Sequence, residues 1–254
     1  MVSLSKTEFH SGTAMKIASS IALFTLLYAS ILAGCSTTDS DGDRTMTTNN
    51  FESGTEGWEG AFADYPIGDD LELIFERTLL PEPLDRDRYA LLLGGTNTSD
   101  DLFMFLKREI TGLEPGRRYR VDFSAILASE APQESVGIGG SPGASVFLKA
   151  GAVGFEPMPV EIFDDTFENG FYRVNFEKGN QSEIGEDAVS MGTVGHDGSE
   201  FIYQLIERSS AEPIEVTSSQ TGSIWVWIGT DSGFEGRTEL YYDQVTIELT
   251  PLGS

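Results

Sequence analysis

Cysteine, histidine and positive charge are all scarce in this chain. Its 254 residues include one cysteine, Cys35, and two histidines, His10 and His196. A single thiol forbids an intramolecular disulfide, so a domain built here must hold through its own core. With His196 the only histidine beyond the N-terminal segment, a three-histidine or His/Cys metal site cannot form within one mature chain. Sixteen Lys and Arg stand against 41 Asp and Glu, a formal charge of −25. Such a surface is repelled by nucleic acid and by anionic lipid, and it attracts divalent cations. Most of the acid serves as a hydrated coat. Also missing are an apolar run as long as the roughly 20 residues a membrane span needs and, after the N-terminal segment, a convincing amphipathic helical stretch.

What is present begins with Lys16, the apolar run Ile21 to Tyr28, and then Leu32-Ala33-Gly34-Cys35. This resembles the bacterial lipoprotein signal, in which a Leu-Ala-Gly-Cys box is cleaved before the cysteine. The resemblance implies that residues 1–34 are removed and that the Cys35 thiol carries diacylglycerol (with palmitate-type acyl chains). Ser36 in the next position implies the outer membrane in a Gram-negative cell. Met15-Lys16 is a more typical signal start than Met1. Residues 35–47 are rich in Ser, Thr and Asp without apolar period, and read as a flexible tether. Residues 48–250 read as one domain. Without Lys6, Glu8 and Lys16, the mature chain sets 14 basic against 40 acidic residues.

That domain reads as short strands divided by Gly/Pro turns. Strands are expected from Phe51-Glu52, through Phe62, and at 71–75, 89–93, 102–106, 119–127, 146–149, 171–175, 201–206 and 214–217. The run 102–106 is apolar on both faces and should be central. Leu80-Pro81-Glu82-Pro83-Leu84 is a loop, and Pro157 and Pro159 mark irregular chain. Ile224-Trp225-Val226-Trp227-Ile228 is a β-branched and aromatic strand, followed by an acidic, Gly-rich turn over 230–236. Leu240 to Leu249 alternates, with Tyr241, Asp243, Val245, Ile247 and Leu249 on one face. Asp243 is the anomaly there, since a carboxylate aimed at a core needs a partner. The expected fold class is an all-β jelly-roll sandwich.

Three local features resemble carbohydrate-binding jelly-roll modules and the wider galactose-binding-like fold. They are Phe51-Glu52-Ser53-Gly54 with Trp58, the turn 112–116 leading into Tyr119-Arg120-Val121-Asp122-Phe123, and the closing Tyr242-Asp243-Gln244-Val245-Thr246-Ile247. The resemblance implies that first and last strands pair and that an acid from each end holds a structural calcium. By position those acids are Glu52 and Asp243. Asp231 and Glu235, on the loop beside the closing strand, could form a second or shared site.

Trp225 and Trp227 share one strand face and could form a sugar-stacking platform; the competing arrangement buries that face under a loop. Gly139-Gly140-Ser141-Pro142-Gly143 matches Gly-x-Ser-x-Gly, but Pro142 lacks the N–H that a nucleophile elbow uses for its oxyanion hole. No catalytic motif survives. His196 in Gly195-His196-Asp197-Gly198 reads as a turn residue, and Ser99-Asp100-Asp101 as a turn whose acids could line a ligand rim. The expectation is a cell-envelope lipoprotein that sits on the lipid bilayer and binds a polysaccharide or another envelope component without catalysis. The alternative is a structural or protein-partner-binding lipoprotein with no small-molecule site.

Overall fold

The computed structural model describes residues 37–41, 44–99, 101–164 and 167–253. The expected leader, residues 1–34, and Cys35, the expected acylation position, lie outside the described residues. The strands are β1 (Thr37–Asp41), β2 (Arg44–Asn49), β3 (Glu59–Ala63), β4 (Tyr65–Pro66), β5 (Ile74–Leu79), β6 (Tyr89–Thr96), β7 (Leu102–Ile110) and β8 (Arg118–Ser129). They continue with β9 (Val146–Val153), β10 (Pro159–Asp164), β11 (Phe167–Val174), β12 (Val189–Thr193), β13 (Gln204–Ser209), β14 (Ile214–Thr217), β15 (Ile224–Ser232) and β16 (Arg237–Pro251). No helix occurs among the described residues.

Two antiparallel sheets make an all-β jelly-roll sandwich. One runs β12-β9-β15-β7-β3; the other is built around β16, which pairs with β2, β6 and β8. Strands β6, β7, β8 and β9 cross in succession from sheet to sheet, so these connections close over the same core. A third, small sheet, β10-β11-β4, is appended. β7 lies between β15 and β3 and is buried from Leu102 to Lys107, the central position its two-sided apolarity demands. Ile224, Val226 and Ile228 of β15 meet Leu91, Val121, Leu127 and Ile247 of the facing sheet in the main core.

The ends of the domain zip together along β16, with Thr45 to Asn49 against Leu249 to Val245. The N-terminal partner is β2, not Phe51-Glu52, which sits in a turn with Phe51 at φ 62°. Part of the expected tether is therefore sheet: β1 pairs with β2 across a short hairpin. Thr-rich chain suits an edge strand, and joining the ladder satisfies backbone groups that a tether would leave to water.

The anomaly at Asp243 is resolved by a bulge. Against β8, Tyr242 pairs with Leu127 and Gln244 with Ile126, which leaves Asp243 as the extra residue. The inward phase slips by one there. Leu240 and Tyr242 face the core before the bulge, and Val245, Ile247 and Leu249 after it. Tyr241 points to the other side, against Tyr203 at 5.4 Å. Elsewhere Pro159 opens β10 at a sheet edge, where a missing N–H costs no ladder bond, and 201–203 precedes its strand rather than joining it.

Candidate functional site

The outer face of the five-stranded sheet carries Trp225, Trp227 and Asp231 from β15, Phe103, Phe105 and Lys107 from β7, and Lys149 from β9, as the register dictates. The chain from Phe176 to Ala188 lies across it. Phe176 packs on Trp227 at 4.9 Å, on Phe105 at 5.8 Å and on Phe103 at 6.1 Å. Gly151 lets this cover approach, since a Cβ there would fall 2.0 Å from the Asp187 carbonyl and 2.5 Å from Trp227 Nε1. The two-indole platform is accordingly absent. Trp227 is fully buried and Trp225 half-buried, with Lys107 Nζ 5.3 Å above its ring. The loop-covered arrangement holds for Trp227.

Beside these aromatics lies a charged cluster. Asp231 ends β15 rather than sitting on a turn, and its Oδ2 accepts from Lys149 Nζ (2.9 Å), Lys178 Nζ (2.7 Å) and the Gln181 N–H (2.8 Å). Lys178 Nζ also lies 2.8 Å from Asp64 Oδ2, and Arg173 Nη1 donates to Asp64 Oδ1 and Asp101 Oδ2 at 2.9 Å each. Lys149 completes its donors on the carbonyls of Lys178 (3.1 Å) and Glu183 (2.9 Å). Burial lowers the Lys149 pKa against the pull of Asp231. Burial also acts to lower Lys178, but Asp231 and Asp64 outweigh it and the pKa rises. Burial, then repulsion from Asp64, pushes the Asp101 carboxyl up against Arg173.

Oxygens of Asp64, Asp101 and Asp231 come within 4.8 Å of one another, a spacing that could hold a metal ion. Three positive side chains already balance these three carboxylates, so a divalent cation would leave the cluster two charges in excess. Charge is balanced by the protein's own cations, but Asp101 Oδ1 and Asp231 Oδ1 are buried and accept no hydrogen bond.

Glu52 and Asp243 also fit calcium poorly. Asp243 is buried, and its Oδ2 accepts from Arg88, while Oδ1 has no hydrogen-bond partner. Burial raises its pKa, Arg88 opposes this, and repulsion from Glu52 adds to it. Glu52 is exposed and accepts the Tyr89 N–H at 3.2 Å. A guanidinium stands where the cation would be needed, and hard cations want six to eight oxygens.

Glu235 belongs elsewhere, in an open cavity of about 360 Å³ at one end of the sandwich. Its walls come from 129–131, 136–138, Pro142, Val194, Phe201, 234–235 and 237–240. The Glu235 N–H donates to the Ile138 carbonyl at 2.9 Å, which joins the two long loops. Asn97, buried, clamps the second loop by donating to the carbonyls of Ser232 (2.9 Å) and Phe234 (3.0 Å). Phe234 is fixed between two glycines. A Cβ at Gly137 or at Gly236 would sit 2.4 Å from its ring. Val136 (92% exposed), Ile138 (71%) and Phe201 (57%) stand open at the rim. Burial against the wall raises the Glu130 pKa, and repulsion from Glu239 raises it further.

The Ser141 hydroxyl accepts the N–H groups of Gly143 (3.1 Å) and Ala144 (3.0 Å), which closes its turn. His196 Nε2 lies 3.0 Å from the Glu130 carbonyl, and Nδ1 accepts the Gly198 N–H at 3.0 Å, so the ring is tied into its turn. Asp101, expected at a ligand rim, lines a second cavity of about 420 Å³ with Asp64, Arg173 and Lys178. Sequence reasoning passed over Lys149, although a lysine inside the apolar strand Val146–Val153 was a signal that a buried acid must face it.

No protein-family model and no curated protein matches the chain. Among solved structures it is similar to TmCBM61 in complex with beta-1,4-galactotriose, at 14% identity over 74% of this chain and 86% of that one, TM-score 0.31. It is similar to TmCBM27, a carbohydrate-binding module studied for mannan recognition, at 10% identity over 81% and 97%, TM-score 0.32. It is also similar to the enzymatically active domain of bacteriophage CBA120 tailspike protein 4, at 9% identity and TM-score 0.32 over 80% of this chain. The chain spans only 20% of that tailspike domain's length. Likeness at this level defines neither ligand nor activity. The class rests on the strands themselves: a jelly-roll sandwich with one face locked by charge and one end open.

Proposed function

We propose that this chain is a lipid-anchored envelope protein whose sandwich binds a glycan in the cavity between Glu130, Phe201 and Phe234, without catalysis. The cavity itself carries the reading. It combines a rigidly held aromatic ring, a second aromatic exposed at the rim, and carboxylates from separate segments. Aromatic planes cover the C–H face of a sugar ring, and carboxylates accept its hydroxyl protons. Acylated Cys35 would stand two residues before β1, at most about 7 Å of chain, and would hold the sandwich close to the bilayer. Calcium is not the staple in this reading; Arg88, Lys149, Lys178 and Arg173 neutralise the buried acids instead.

A glycan array probed with a form starting at Ser36 tests the reading, because all three core clusters lie within residues 51–249. Binding to a defined glycan that Phe201→Ala weakens about ten-fold, without change in melting temperature, is the expected result. A blank array would favour a protein partner instead. The exposed Phe155, Met158, Ile162 and Phe163 on and before β10 are the observation behind that second reading.

A further inference from the structure

The end cavity is acidic in a way that its apolar wall makes consequential. Glu130, Glu235 and Glu239 line it, with Arg237 as the only basic lining residue among the described residues. Arg237 is engaged elsewhere. Its Nε and Nη2 donate to Glu239 Oε1 at 3.1 and 2.7 Å, and its Nη1 donates to the Glu72 carbonyl at 2.8 Å. Glu239 is thereby paired, but the carboxylates of Glu130 and Glu235 have no hydrogen-bond or ion-pair partner among the described residues. The cavity as it stands holds two uncompensated negative charges beside Phe201 and Phe234.

Such an arrangement discriminates by charge. A uronic acid placed here would bring a third carboxylate against Glu130 and Glu235 in surroundings where the wall displaces water and weakens screening. A neutral sugar would leave both acids paired only with hydroxyls or water. A sugar that carries a protonated amine would give them the charge-assisted partner they lack, while its ring covers an aromatic face. Resting on the glycan-binding reading above, we infer that this cavity selects an amino sugar with a free, protonated amine. Glu130 and Glu235 receive the ammonium, and Phe201 and Phe234 receive the ring. Burial, and after it repulsion from Glu239, raises the Glu130 pKa, and a bound cation would favour the charged carboxylate that both disfavour.

Titration calorimetry on the form starting at Ser36 tests this with three oligosaccharides: glucosamine, N-acetylglucosamine and galacturonate oligomers of equal length. The pH is mildly acidic, where the amine is protonated and most carboxylates are ionised. The glucosamine oligomer should bind at least about ten-fold more tightly than its N-acetyl form, the scale of one charge-assisted hydrogen bond, and the galacturonate oligomer should not bind. Glu130→Gln and Glu235→Gln should each erase most of that preference, whereas Glu212→Gln, an exposed acid outside the cavity, should not. If Glu212→Gln weakens binding as much as the cavity variants do, the attraction is diffuse and the inference falls. Equal binding of the glucosamine and N-acetylglucosamine oligomers, both sensitive to Phe201→Ala, would overturn amine selection and leave glycan binding standing. A lysine oligopeptide that outcompetes every sugar would overturn both.

Discussion

The charged cluster under Phe176 and the cavity beside Phe234 each gather three carboxylates, and they treat them in opposite ways. At the first, Asp64, Asp101 and Asp231 meet Lys149, Lys178 and Arg173, so acids and bases balance. At the second, three glutamates share one arginine, and that arginine is held by Glu239 and Glu72. The balanced set is buried at Asp231, Lys149, Lys178 and Asp64, reaches solvent through Arg173 and Asp101 at the second cavity, and fastens the chain between Phe176 and Ala188 over a sheet face. The unbalanced set is open to solvent, where water can carry the residual charge until a ligand replaces it. One acidic composition therefore yields both internal mortar and an open, unbalanced acidic wall; neighbouring cations and solvent access decide which.

The contrast breaks most sharply at Asp231. Asp231→Ala leaves buried Lys149 with carbonyls alone and Lys178 with Asp64 as its one remaining carboxylate, and unfolding in urea should show a loss of about 3–5 kcal/mol. Glu235→Ala, at the open cavity, should change stability by less than about 0.5 kcal/mol. Equal losses would mean that the two carboxylate sets do the same work.

A smaller effect, on affinity alone, is expected from pH. The Glu130 carboxyl titrates above the ordinary glutamate range. Its charge is therefore present above that raised pKa and is lost as pH falls through it, sooner than at a surface glutamate. Affinity for a cationic sugar should fall over that window in calorimetry, and Glu130→Gln should flatten the profile.

Smaller still is Asp101→Asn. Burial and Asp64 raise this carboxyl, so its charge penalises the folded state above the raised pKa, and the penalty disappears once pH falls below the ordinary aspartate value. Partial exposure screens the effect, and Arg173 keeps Asp64. The substitution should shift stability by under about 1 kcal/mol at neutral pH, with the difference from the parent narrowing in acid denaturation curves. Last, millimolar calcium should leave the melting temperature unmoved. A rise of several degrees that Asp243→Asn abolishes would restore calcium to the Glu52 end of the sandwich.

Much of the fold could be read from local pattern. Strand composition marked β7 as central and β15 as a strand, and the Pro-Gly turn at 115–116 placed the start of β8. The pairing of the domain's ends followed from the resemblance, although the partner proved to be β2. The site was less legible. Asp243 looked like a core-facing acid only because a strict two-residue period was assumed, and the bulge that breaks it depends on register with β8. Asp231 and Glu235 are four residues apart and seemed one site. Strand β15 runs on through Ser232 and buries the first, while the following turn carries the second to the end cavity.

The sequence by itself determined an all-β domain without disulfides, an excess of acid, and the alternation that makes two sheets, because these depend on neighbours one to four residues apart. Tertiary structure alone decided which acids meet a lysine and which meet water. Lys149 finds Asp231 across 82 residues of chain, and Arg88 finds Asp243 across 155. The charge state and burial of a carboxylate are fixed by partners brought by folding, not by the residues beside it.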